Sequence, residues 1–191
     1  MKVFNSGMPS ESYWNSLFDI PAIIDWLDLQ SVVDPIVEIG CGYGTFTVPI
    51  ARQTTQTIHA IDIEPAMIEI ARDNAKKAGS QNVVLHCSDV LDAGTGLPSG
   101  SVGLVLLFNI LHSPERVQIL REASRISKTP GRIAIIHWRK DIPTPRGPSV
   151  DSRPDLLSIV DSIAGLDLRL YGDSRILEPY HWGVQLQKGD T

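Results

Sequence analysis

The chain has 191 residues, 42% of them hydrophobic and 20% charged, which excludes a disordered chain and predicts one domain with a real core. Seventeen Lys and Arg face 22 Asp and Glu, a net charge of −5, which argues against a partner read through its phosphate backbone, since that needs a basic face. Two cysteines, Cys41 and Cys87, cannot make a zinc quartet or a disulfide framework.

Residues 9–30 read as helical, with Leu17, Ile20, Ile23, Ile24 and Leu27 at helical spacing and Pro21 starting a second helix. Ile36 to Ile39 is a short buried strand ended by Gly40, and Phe46 to Arg52 a helix. A strand over Thr57 to Ile63 is followed by a helix from Pro65 to Ala78, stopped by Gly79. Asn82 to Leu85 and Val102 to Phe108 are strands separated by a Gly/Pro/Ser loop. A helix over Pro114 to Ser127 leads into a Pro130-Gly131 turn and a strand over Arg132 to Trp138. Asp141 to Pro154, with four prolines, predicts an irregular loop. A helix over Asp155 to Ala164 and two strands, Leu166 to Leu170 and Trp182 to Gln187, complete the chain.

Strand and helix alternate, which predicts an α/β, Rossmann-like doubly wound sheet. It is mostly parallel, with seven strands; the last two, joined without a helix, put one antiparallel strand near the edge. No apolar run reaches the roughly 18 residues of a membrane span, and residues 1–10 carry no apolar signal core. A cytoplasmic protein with reduced thiols is expected.

The most informative stretch is Val37-Glu38-Ile39-Gly40-Cys41-Gly42-Tyr43-Gly44. An acid closes the first strand, and glycines follow at alternate positions, where backbone can approach a ligand closely. Such a loop opening a helix marks a nucleotide-type site. A dinucleotide fingerprint would place its third glycine at Thr45. Glu38 suits a cationic ligand and would repel a nearby pyrophosphate. Asp62, 24 residues after Glu38 at the end of the second strand, can accept hydrogen bonds from two ribose hydroxyls. Asp89 ends the third strand, so three acids share the carboxyl rim of the parallel strands, where ligands bind.

This pattern, E-x-G-x-G-x-G, resembles motif I of the class I S-adenosylmethionine-dependent methyltransferases. Leu104 to Ser113 is similar to the fourth motif of that family, and Glu178-Pro179-Tyr180-His181-Trp182-Gly183 to the ending of its ubiquinone-biosynthesis-like, type 11 small-molecule group. The resemblance implies a methyl transfer from S-adenosyl-L-methionine to a small molecule. It assigns the donor's amino end to Glu38 with Gly40, Cys41 and Gly42, its ribose to Asp62, its adenine to Ile63, Asp89 and Val90, and its methionine half to Phe108 and Asn109; Met67 joins the cofactor set. Leu166 to Pro179 is a few residues longer than in that group.

At the same rim, His112, His137, Trp138, Tyr180 and His181 are expected to converge, with Arg146 close by. Residues 1–30 form a helical lid carrying Tyr13 and Trp14, and residues 139–154 a substrate-side loop. Tyr13, His137, Arg146 and Tyr180 are the substrate-side candidates. His112, or else His181, is the candidate general base, since histidine titrates near neutral pH. No H-x-x-x-H pair suggests a metal.

Nucleic-acid methyltransferases are disfavoured: no Asn-Pro-Pro-aromatic run follows the fourth strand, and neither cysteine lies there. A dinucleotide oxidoreductase and a catalytically silent S-adenosylmethionine-binding protein remain the alternatives.

Overall fold

The computed structural model describes residues 8–189; residues 1–7, part of the expected lid, lie outside them. Seven strands make one sheet in the order β3-β2-β1-β4-β5-β7-β6. They are β1 (Ile36–Ile39), β2 (Ile58–Asp62), β3 (Val83–Cys87), β4 (Val102–Phe108), β5 (Ser127–Trp138), β6 (Leu168–Leu177) and β7 (His181–Lys188). The first five run parallel, and β7 lies antiparallel between β5 and β6. The reversed strand is therefore second from the edge.

Each strand alternates its side chains between the two faces. Ile36, Leu104, Leu106, Ala134 and Ile136 pack with Leu17, Phe18, Ile23, Leu27 and Ile50, from α2 (Ile20–Leu27), α3 (Thr47–Ala51) and the chain before them. Val37, Val105, Leu107, Ile133 and Ile135 pack on the other face against α6 (Arg116–Ile126) and α7 (Leu156–Ser162). Full burial on both faces explains the uninterrupted apolar run of β4.

Local signals set the helix ends. Asp19 caps α2 by accepting from the Ala22 amide at 3.1 Å, and Asp28, at φ 48°, ends it. Asp155 and Ser158 form a reciprocal capping box on α7. The helix α4 (Pro65–Lys77) buries Ile68, Ala71 and Ala75.

The structure differs from the sequence reading at three places. The Pro130-Gly131 turn is a bulge inside β5, since Ser127 pairs with Val102 and Arg132 with Leu104. A four-residue helix, α5 (Val90–Ala93), follows Asp89, which caps it through the Leu91 amide at 2.9 Å. The penultimate strand reaches Leu177 rather than Leu170. Tyr171 pairs with Gln185 and Arg175 with Gly183, so β6 carries a bulge around Gly172 to Ser174. That bulge takes up the added length between Leu166 and Pro179.

Candidate active site

The carboxyl ends of β1 to β5 open into a cavity of about 940 Å³, large for a small-molecule site. Glu38, Gly40, Cys41, Gly42, Asp62, Ile63, Met67, Asp89, Val90, Phe108 and Asn109 all line it.

Glu38 is 1% exposed, and its Oε2 accepts a hydrogen bond from the Thr47 hydroxyl of α3. Burial raises its pKa to about 8 against the pull of that bond, with the nearby Asp62 carboxylate adding to the rise. Such a group gains most from a cation that shares its dry wall. Burial also raises the Cys41 thiol, which holds it neutral.

After β1 the chain turns at Gly40, at φ +79°, where a Cβ would lie 2.7 Å from the Ile110 side chain. The backbone can pass there only without a side chain. The Gly42 amide then donates to Asp62 Oδ2 at 2.8 Å, and the Glu64 amide to Oδ1 at 2.9 Å. These donors oppose the rise that burial imposes on the Asp62 carboxyl. Asp62 also lines the cavity, where a vicinal diol would find two acceptor oxygens.

Asn109 follows β4 in the left-handed region, at φ 58°. Its amide nitrogen and oxygen are buried on the cavity wall with no hydrogen-bond partner among the described residues. A buried orphan amide on a wall is a group built to be satisfied by a ligand. With buried Glu38, the doubly held Asp62 and the bare Gly40 turn, it fits an amino acid joined to a nucleoside.

The acceptor-side candidates separate into two sets. His112 and Arg146 line the cavity. Burial pushes the His112 imidazole below its ordinary range, against a smaller pull from a hydrogen bond with the Asn109 backbone, so the ring is neutral near pH 7.

His181, His137, Tyr180 and Tyr13 do not line it, which corrects their expected placement. His181 starts β7 at the rim, paired with Trp138, but its ring turns into the apolar layer. It stacks on Phe18 at 4.4 Å between centroids and packs on Trp138 at 4.2 Å. Burial lowers it to about 3, and it cannot reach a reacting atom as a base. His137 is wholly buried on the opposite face, because it alternates with Trp138. Its Nδ1 accepts from the Trp138 amide at 3.0 Å, and its ring meets His112 edge-on at 5.7 Å. Tyr180 packs against the Trp138 ring, 6.4 Å between centroids. Tyr13, in α1 (Glu11–Asn15), is exposed, whereas Trp14 reaches the cavity.

Sequence reasoning missed the contacts that hold the cover in place. The Tyr43 hydroxyl donates to the Pro9 carbonyl at 2.5 Å, and Thr45 to Asn15 Oδ1 at 2.7 Å. Asn74 bridges Glu11 Oε1 and the Tyr43 carbonyl, at 2.7 and 3.0 Å. The glycine loop itself thus fastens the segment that brings Met8 and Trp14 to the cavity. Arg153, also missed, is nearly buried. Its guanidinium donates to the carbonyls of Arg139 at 2.6 Å, Pro148 at 3.0 Å and Arg146 at 3.5 Å, which staples the proline-rich loop shut. None of these residues carries a sequence signal, because each bond joins distant segments.

A family model described as a methyltransferase domain matches residues 32–159. The aklanonic acid methyltransferase of Streptomyces sp. (strain C5) is 37% identical over 103 residues, covering 52% of this chain and 46% of that protein. The chain thus spans about half the length of that curated relative. Among solved structures, an S-adenosylmethionine-dependent methyltransferase from Aquifex aeolicus superposes with a TM-score of 0.80 at 21% identity, covering 94% of each chain. A type 11 methyltransferase from Sulfolobus solfataricus gives 0.72 at 24% identity, covering 92% of this chain and 95% of that one. At these identities the two structures establish a shared fold.

Proposed function

The chain belongs to the methyltransferase-domain family, and from that premise we propose that it transfers a methyl group from S-adenosylmethionine to a small-molecule acceptor. The observation that carries the reading is Glu38: a dehydrated carboxyl on the cavity wall, beside a glycine loop, suits an ammonium and disfavours a pyrophosphate. Asp62 would hold the ribose diol, Ile63, Asp89 and Val90 the adenine, and the Asn109 amide the methionine half. Bound there, S-adenosylmethionine would supply an activated methyl group on a cationic sulfur, with S-adenosylhomocysteine as the neutral-sulfur product.

The protein's part is orientation and exclusion of water, which together supply much of the rate in such transfers. Residues 8–30 would act as a lid, 139–154 as the acceptor loop, and the whole chain as one domain. His112 would take the proton from a hydroxyl or other protonated nucleophile, its neutral ring being suited to a base. The named substrate of the Streptomyces relative supports a small-molecule acceptor. The free cysteines Cys41 and Cys87 fit a reducing, cytoplasmic setting.

Isothermal titration with S-adenosylhomocysteine and, separately, with NAD tests the reading. Saturable heat is expected with the first alone; binding of NAD alone would favour the oxidoreductase. Label transfer from radiolabelled donor to a panel of small molecules separates an enzyme from a silent binding protein.

A further inference from the structure

Two histidines meet on the open side of the sheet's edge. In the register of β2 and β3, His59 pairs with Val84 and Ile61 with His86, so both imidazoles project from one face. The connection from β3 to β4 holds a single four-residue helix, α5. That part of the face is left partly open to solvent: Val84, between the two rings in the register, is 41% exposed. His59 Nδ1 and His86 Nε2 lie 3.0 Å apart, with ring centroids at 5.3 Å and planes tilted by 32°. Both residues are half-buried, and neither lines the cavity. Burial and the neighbouring His86 hold His59 below its ordinary range, so its ring is neutral near pH 7.

In this arrangement one ring donates its N–H to the other. A metal about 2.0–2.1 Å from each of two imidazole nitrogens, at angles between square-planar and tetrahedral, holds them about 2.9–3.4 Å apart. The strands already set that separation, and only the rings must turn. The hydrogen between them then moves to the outer nitrogen of the donating ring, so two neutral imidazoles bind without net loss of a proton. Among the described residues no third His, Cys, Asp or Glu joins the pair, and Cys87 alternates to the opposite face from His86. Water completes such a site, which makes it open and exchangeable rather than a closed structural one.

We propose that His59 and His86 form a surface site for a divalent first-row transition metal with a preference for imidazole, of which Zn²⁺ is the type, and that the metal clips the edge strand β3 to β2. The site is separate from the cavity and does not depend on the methyl-transfer reading. Asp62 and Asp89 each follow one of these histidines by three residues, so the clip braces two strands that lead to the cavity's rim.

The test titrates the full chain with Zn²⁺ by calorimetry, with Mg²⁺ as the control, and follows the imidazole nitrogens by NMR. One saturable Zn²⁺ site is expected, with His59 bound through Nδ1 and His86 through Nε2, and none for Mg²⁺, which takes oxygen ligands. The Tm should rise with Zn²⁺, because the metal binds the pair that only the folded chain assembles. His59→Gln and His86→Gln should each weaken Zn²⁺ binding roughly tenfold or more and abolish the rise in Tm. The NMR assignment is made on the unaltered chain, so it decides the matter even where a variant fails to fold. Absence of saturable Zn²⁺ binding, affinity indifferent to both substitutions, or Zn²⁺ signals on His112 or Cys87 in place of the pair overturns the proposal.

Discussion

Thr47 donates a hydrogen bond to the carboxyl of Glu38, nine residues earlier, inside a wall closed to solvent. The helix after the glycine loop thereby supports the acid before it, yet burial still raises Glu38 to about 8.

A pH dependence follows. Without ligand, Glu38 holds its proton up to about pH 8, whereas an ammonium beside it requires the carboxylate. The affinity for S-adenosylhomocysteine should rise with pH between 6 and 8, approaching tenfold per unit at the acid end, with a proton released on binding. Titration calorimetry in buffers of different ionisation enthalpy measures that proton. Glu38→Gln should bind weakly and without pH dependence in this range.

The same shift acts on stability with the opposite trend. The folded state keeps a proton that the unfolded chain loses above its ordinary value of 4.5. Stability of the unliganded protein from this group therefore falls as pH rises from there to about 8, and levels off beyond. Urea midpoints across this window should show the fall, and Glu38→Gln should lessen it.

Asp62 joins three elements, since its carboxylate receives the Gly42 and Glu64 amides at the end of β2. Asp62→Ala removes charged acceptors each worth about 1.5–3 kcal/mol. Donor affinity should fall roughly 10- to 100-fold, with acceptor binding much less affected.

For the base, two histidines give opposite expectations. His112→Ala should lower kcat about 100-fold or more with a hydroxyl acceptor, while S-adenosylhomocysteine binds as before. His181→Phe should keep turnover within a few-fold, because that ring is packing between Phe18 and Trp138. The reverse ranking would return the role to His181.

Arg153 fixes the proline-rich loop through three carbonyls. Arg153→Ala leaves them unpaired, at a cost of about 2 kcal/mol, or roughly 4–8 °C in Tm for a chain of this size. KM for the acceptor should rise, with donor affinity retained.

The placement of Glu38, the glycine loop and Asp62 on one cavity was legible because its signals are local. An acid at a strand end, glycines in the turn and an acid closing the next strand fix one another through the periodicity of β1 and β2. The rings at the ends of β4, β5 and β7 were legible only in position. Trp138 pairs with His181 at the rim, as the strand order implies. Whether each ring faced the cavity depended on Phe18, which arrives from a segment far away in sequence. Tyr13 and Trp14 differ for a similar reason: α1 has five residues, too few for an apolar stripe to reveal its phase. The bulge in β6 and the four-residue α5 leave no periodic trace.

The central claim is a cavity shaped for a cationic amino acid joined to adenosine. Titration of the purified chain with S-adenosylhomocysteine at pH 8 tests it most directly. A single saturable site, weakened by Glu38→Gln and by Asp62→Ala, is the expected result; no heat of binding, or binding indifferent to both substitutions, contradicts it.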